Sequence, residues 1–241
     1  MKLTIANSNV LRNQVVVDFK MECLTQGEIN RVAIVGGSFM DHEVVEIKKK
    51  FPHATFQTYG IEPDQLFMDL NLPPKSREDY DLVLCTNVLE HVWNHENFAM
   101  NLMSLIGKGG TVWCCFPFSD MYHGSPYFYS AGFDPSYVKF LFERNGGSVT
   151  ASKTVSSKRL YLFTHLLQDW PSDFRYRRPL IGQIFWSLGL RNNPRPPVRN
   201  LSPRRLLICL YLCFVPKDFD SNPFFGCAGW VRVGGSENSV V

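Results

Sequence analysis

The chain has 241 residues, 45% hydrophobic and 20% charged, with nineteen Phe and a formal net charge of +3. That profile excludes a disordered or fibrous chain and suits one globular domain with room for an insertion. The longest apolar run, ten residues at 206–215, is half of the roughly 20 needed to cross a bilayer, and residues 1–20 alternate polar and apolar without a secretory core.

Seven cysteines stand at 23, 85, 114, 115, 209, 213 and 227, an odd count with no Cys-x-x-Cys pair. They read as reduced thiols of a cytoplasmic protein, and no zinc site is expected. The charge is uneven. Residues 158–205 hold ten cationic side chains against two anionic ones, which leaves the remainder of the chain at −5. Nine of the ten are Arg, whose planar fork suits carboxylate or phosphate. A solvated face and a surface for an anionic partner both fit this stretch.

In chain order, "RVAIVGG" (31–37) reads as a buried strand ending in glycines. "DHEVVEIKKKF" (41–51) predicts a helix with Val44, Ile47 and Phe51 on one face. "ATFQTYGIEP" (54–63) is a second strand and "LFMDLN" (66–71) a very short third one. "DLVLCT" (81–86) is a clear strand, "NHENFAMNLMSLIG" (94–107) a helix burying Phe98, Leu102 and Leu105, and "KGG" (108–110) a turn into strand 111–118. "DPSYVKFLFERNGG" (134–147) predicts a helix with Asp-Pro at its start and glycines at its end. A basic, helical stretch follows, interrupted by the Pro-rich connector 192–205. The last strand is 224–233, and 234–241 reads as a loose tail.

Strands alternating with helices predict a doubly wound, mostly parallel sheet, whose ligands lie beyond the carboxyl ends of the strands. Asn87, Glu90 and His91 stand just past such an end. The turn Gly36-Gly37-Ser38 lacks the third glycine of a pyrophosphate loop, so NAD is not expected. S-Adenosylmethionine (SAM) carries no phosphate. It needs a close turn, an acid for the ribose hydroxyls and a polar contact for adenine. Glu62 ends the second strand and Asp69 the third. On this reading Gly36→Val removes cofactor binding and leaves the fold intact.

With these segments in order, the chain resembles the class I SAM-dependent methyltransferases from Arg31 to Gly147, with 227–233 as the last strand. "YGIEP", "FMDLNLP", "DYDLVLCTNVLEHV" and "GKGGTVWCCFPF" resemble successive motifs, and "HGSPYFYSAGFDPSYVKFLFERNG" resembles the segment that follows in small-molecule and sugar methyltransferases. The resemblance implies a seven-stranded Rossmann-like core over 1–155, an Arg-rich, largely helical insertion over 156–222, and the last strand and tail over 223–241. It implies SAM held by Gly36, Gly37, Glu62, Asp69, Leu70 and Asn87. The chain departs from the family pattern at Ile34, where an acid is usual, at Ser38, and in the short gap from Glu62 to Asp69.

For methyl transfer to a hydroxyl, His123 in "DMYHGSP" is the first candidate base, and His91 the second. His91 also reads as a residue packing the Glu90 loop. His91 and His95 have the i, i+4 spacing of helical metal ligands. Some relatives bind a metal through Glu-x-x-Glu-His, but Asn87 replaces the first acid here, so no metal is expected. Tyr127 is a candidate acceptor contact, and Arg177 and Arg178 candidates for its anionic part. The resemblance, together with the Arg-rich stretch, implies an O-methyltransferase of a sugar or glycan on a phosphate-bearing carrier. The alternatives are a quinone- or lipid-type methyltransferase and a non-catalytic binding module of the same fold. A nucleic-acid partner is not favoured, because no RNA-binding module is attached. Segment 203–219 reads either as a buried helix or as a peripheral membrane contact. The sequence does not address oligomeric state.

Overall fold

The computed structural model describes residues 8–25, 27–118, 127–156 and 226–235. Among them are seven strands: β1 (Arg31–Val35), β2 (Thr55–Gly60), β3 (Leu66–Phe67), β4 (Tyr80–Thr86), β5 (Ile106–Pro117), β6 (Gly147–Ser156) and β7 (Gly226–Gly235). The α-helices among them are α1 (Ser8–Glu22), α2 (His42–Lys50), α3 (His95–Leu105) and α4 (Pro135–Arg144), and a 3-10 turn spans Leu89–His91. The strands form one sheet in the order β3-β2-β1-β4-β5-β7-β6. β3, β2, β1, β4 and β5 pair parallel, and β7 runs antiparallel between β5 and β6. This is the doubly wound, mostly parallel sheet expected.

Both faces of the sheet are covered, which is why its central strands read as unbroken apolar runs. Ala33, Val35, Val83, Cys85, Val112, Cys114 and Phe116 pack under α3 and α4 with Phe98, Leu102, Leu105, Val138, Leu141 and Phe142. The alternate residues Val32, Ile34, Leu82, Leu84, Trp113 and Cys115 pack under α1 and α2 with Val15, Phe19, Val44 and Ile47. Each buried Leu, Ile or Phe contributes about 1.5–3 kcal/mol. Burial pushes the Cys114 and Cys115 thiols well up, helped at Cys114 by a hydrogen bond with Cys85. They are neutral packing groups.

Local signals set the ends of two helices. The Asn94 side chain accepts from the Asn97 amide at 3.1 Å to open α3. Asp134 accepts from the Ser136 amide at 2.7 Å to open α4, with Pro135 behind it. Asp81 serves the opposite edge of the sheet: its Oδ2 accepts from the amides of Asn30 (2.8 Å) and Arg31 (2.9 Å), pinning the start of β1 to β4.

Several elements differ from expectation. α1 was not expected, because Val15, Val16 and Val17 favour strand and Asp18 interrupts its apolar face. The buried Asp18 accepts from Lys153 (2.9 and 3.0 Å), Trp230 (3.0 Å) and Gln14 (3.2 Å), tying α1 to β6 and β7. β6 was missed because "GSVTASKTVS" is small and polar, as an edge strand can be. β5 begins at Ile106, so the Lys108–Gly110 stretch belongs to the strand. β2 ends at Gly60 and β3 at Phe67, so Glu62 and Asp69 each stand two residues past a strand. His123, Arg177, Arg178, the Arg-rich stretch, the connector 192–205 and the segment 203–219 lie outside the described residues. No helix among the described residues is long and apolar enough to cross a membrane.

Candidate active site

The strand order reverses direction between β1 and β4, which places a crevice at their carboxyl ends. Gly36 leaves β1 with φ +66°, and its amide donates to the Tyr59 carbonyl at 2.8 Å. A Cβ on Gly36 would lie 2.6 Å from Cγ2 of Val88. The missing side chain therefore makes room for Val88, so Gly36→Val disturbs packing whatever it does to a ligand. A Cβ on Gly37 would meet the Asp41 carboxylate and, at 3.0 Å, Cγ2 of Ile34.

Asp41 closes the turn. Its carboxylate accepts from the Ser38 amide at 3.1 Å and the Ser38 hydroxyl at 3.3 Å. It stands at the N-cap of α2 without capping it. A helix N-terminus attracts phosphate through open amides and a positive dipole end. Here the Asp41 carboxylate binds the Ser38 amide beside that place and would repel a second anion, so the turn suits a ligand without a phosphate.

Across the crevice Asn87 has φ +54°, the one positive φ outside glycine among the described residues. Its amide donates to the Cys115 carbonyl at 2.8 Å, extending the β4–β5 ladder by one residue before the chain turns. Asn tolerates this left-handed conformation better than most residues. The exposed Asn87 side chain is left on the rim.

The 3-10 turn then binds the loop that precedes α4. The Glu90 carbonyl accepts from the amides of Tyr129 (2.8 Å) and Ser130 (3.4 Å). His91 Nδ1 lies 2.7 Å from the Tyr127 carbonyl oxygen. A carbonyl can only accept, so Nδ1 carries the proton and Nε2 is the acceptor of the neutral ring. Nε2 lies 3.9 Å from Oε1 of the fully buried Glu90. The structure thus brings His91 and Tyr127 together, with the Tyr127 ring half exposed.

His95 does not join His91 as a metal pair. His91 belongs to the 3-10 turn and His95 opens α3, where its Nδ1 hydrogen-bonds the Tyr137 hydroxyl at 2.8 Å. Burial lowers the His95 pKa. No cluster of three His, Cys, Asp or Glu side chains among the described residues could hold a metal.

The expected nucleoside contacts differ in form. Glu62 is exposed, with no side-chain hydrogen bond among the described residues, and its carbonyl accepts from the Gln65 amide at 3.1 Å. Asp69 is engaged: its Oδ1 accepts from the Asn71 amide (2.9 Å) and side chain (3.1 Å). Asn71 Oδ1 in turn accepts from the amides of Trp93 (2.9 Å) and Asn94 (3.1 Å). Asp69 therefore orders a turn and, through it, the exposed Trp93. The Leu70 side chain belongs to the core, so only its backbone can face a ligand. Sequence reasoning missed Gln65 and Asn71. Their neighbours "PDQL" and "DLNLPP" read only as turns, and nothing local announces a side chain that reaches another loop.

No protein-family profile and no curated protein matches the sequence. Solved structures do. The [4+2]-cyclase SpnF aligns at TM-score 0.55 and 9% identity over 98% of this chain and 84% of its own. The O-methyltransferase of a trans-AT polyketide multienzyme of Brevibacillus brevis, bound to S-adenosylhomocysteine, aligns at 0.52 and 11% over 93% and 72%. Phosphoethanolamine N-methyltransferase 2 of Haemonchus contortus, bound to phosphomonomethylethanolamine and S-adenosylhomocysteine, aligns at 0.54 and 9% over 93% of this chain and 53% of its own. The chain has the class I SAM-dependent methyltransferase fold.

Proposed function

We propose that the chain is a SAM-dependent methyltransferase. The observation that carries the reading is the crevice at the carboxyl ends of β1 and β4, where the Asp41 carboxylate takes the Ser38 amide of the glycine turn and sets a negative charge where a phosphate would lie. The fold and its SAM-family neighbours support it. Glu62 binds the ribose hydroxyls, the Asp69–Leu70 backbone borders the adenine, and Asn87 with the Gly36–Gly37 turn borders the amino-acid end. Bound SAM supplies a methyl on a sulfonium, an already activated leaving group. The chain's own task is to align an acceptor, exclude water and take its proton.

Of the two candidate bases His91 lies among the described residues, with Nδ1 held by Tyr127 and Nε2 beside the Glu90 carboxylate. His123 holds the same role in a second version of the reading. His91→Ala and His123→Ala separate the two: loss of the base lowers kcat by roughly 10²–10⁴-fold and leaves cofactor binding intact.

For the acceptor we propose a sugar or glycan on a phosphate-bearing carrier, contacting Tyr127 and held through Arg177 and Arg178 of the Arg-rich stretch. A fold neighbour bound to phosphomonomethylethanolamine is in keeping with a phosphate-bearing acceptor. The protein then acts in the cytoplasm. A quinone- or lipid-type acceptor is the alternative. A reading without methyl transfer has one specific support: a [4+2]-cyclase shares the fold. The test is transfer of label from methyl-labelled SAM to a phosphate-linked sugar, a free sugar and a quinol. Labelling of the first alone, weakened by salt and by charge reversal at Arg177 and Arg178, supports the reading. Labelling of the quinol alone overturns the acceptor, and bound SAM with no labelling of any acceptor favours the non-catalytic module.

A further inference from the structure

The segment between β2 and β3 places one side chain across the crevice in which, on the reading above, the nucleoside of the cofactor lies. Gln65 Nε2 donates to the Gly37 carbonyl at 3.3 Å. Because that carbonyl only accepts, the carboxamide is oriented, and Oε1 faces the other way. Oε1 lies over Gly60, in the space that a Cβ there would fill. The amide of Gln65 donates to Glu62 at 3.1 Å, and the amide of Met68 to Gly60 at 2.8 Å, so the turn carrying the side chain is itself held to the end of β2. The carboxamide therefore bridges the ends of β1 and β2, between the glycine turn and the expected ribose acid.

We propose that Gln65 is a latch across the cofactor crevice, displaced when the nucleoside binds. The inference rests on the SAM reading. A ligand whose ribose reaches Glu62 from the Gly36–Gly37 turn must cross the line from Gly37 to Gly60, which the carboxamide fills. Binding then breaks the Gln65–Gly37 hydrogen bond and moves the side chain off Gly60. The latch weakens cofactor binding and slows it. The alternative, that Gln65 is a ribose contact, predicts the opposite sign on removal.

The experiment measures the affinity and association rate of S-adenosylhomocysteine for the full-length wild-type chain, Gln65→Ala and Gln65→Asn. Asparagine keeps the amide and is one methylene too short for the span. Both variants should bind about three- to tenfold more tightly, the worth of one hydrogen bond, with faster association and a melting temperature of the free chain lowered by about a few degrees, because the lost bond had stabilised it. Equal or weaker binding by Gln65→Ala, with the wild type binding normally, overturns the latch and leaves the SAM reading standing. Binding by Gln65→Ala alone supports the latch in its strongest form. No binding by any of the three folded proteins overturns the SAM reading and the latch together.

Discussion

Gly36→Ala tests whether the first turn of the site is held by packing or reserved for ligand. At φ +66° a side chain costs about 1–2 kcal/mol in the left-handed region. The new Cβ would lie 2.6 Å from Val88 Cγ2 and 3.2 Å from Cγ1, and overpacking of that kind costs about 1–3 kcal/mol. The sum, about 2–5 kcal/mol, is a large part of the about 5–15 kcal/mol that stabilises a typical domain. Val88→Ala removes the colliding methyls, so in a double-mutant cycle read by urea denaturation the pair should couple by about 1–3 kcal/mol. The double variant keeps only the backbone cost. A Gly36→Ala chain as stable as the wild type, or strict additivity with Val88→Ala, would refute the packing argument. The expectation from sequence, loss of binding without loss of stability, is replaced by loss of stability first.

Asn87→Gly should keep the φ +54° turn and remove the amide, so a loss of about tenfold in S-adenosylhomocysteine affinity at unchanged melting temperature assigns the side chain to the cofactor; full affinity removes it from the site. Asp18→Ala strands the buried Trp230 indole N–H that Asp18 accepts at 3.0 Å, at a cost of about 1–3 kcal/mol by denaturation, and a loss under about 0.5 kcal/mol contradicts the anchoring of α1. For His95, burial lowers the folded pKa below its ordinary 6.5. The unfolded chain then binds the proton first as pH falls, so His95 destabilises the fold progressively from about pH 6.5 down to its folded pKa. His95→Gln should flatten that part of the stability–pH curve, and an unchanged slope would show that the ring is solvated.

The sheet was legible because both of its faces are buried: "RVAIV" and "DLVLCT" could be little else once helices alternate with them. The amphipathic α3 and α4 announced themselves through Phe98, Leu102, Leu105 and Asp134-Pro135. α1 and β6 were hidden for opposite reasons, a run of valines in a helix and a strand made of Ser, Thr and Lys. Each depends on long-range partners, Asp18 with Trp230 in one case and the β7 ladder in the other. At the site, the positions of Asn87 and His91 followed from the end of β4. What Asp69 and Gly36 do there did not, since Asp69 is taken up by Asn71 in its own turn and Gly36 is packed by Val88 from another loop. The tautomer of His91 was equally out of reach, being set by a carbonyl 36 positions away.

The central claim is that the crevice at β1 and β4 binds SAM and no phosphate-bearing dinucleotide. Calorimetric titration of the folded full-length chain with S-adenosylhomocysteine, and separately with NAD, tests it most directly. The expected result is one site for S-adenosylhomocysteine with a micromolar Kd and no heat from NAD beyond dilution. Binding of NAD, with none of S-adenosylhomocysteine by either the wild type or Gln65→Ala, would contradict it.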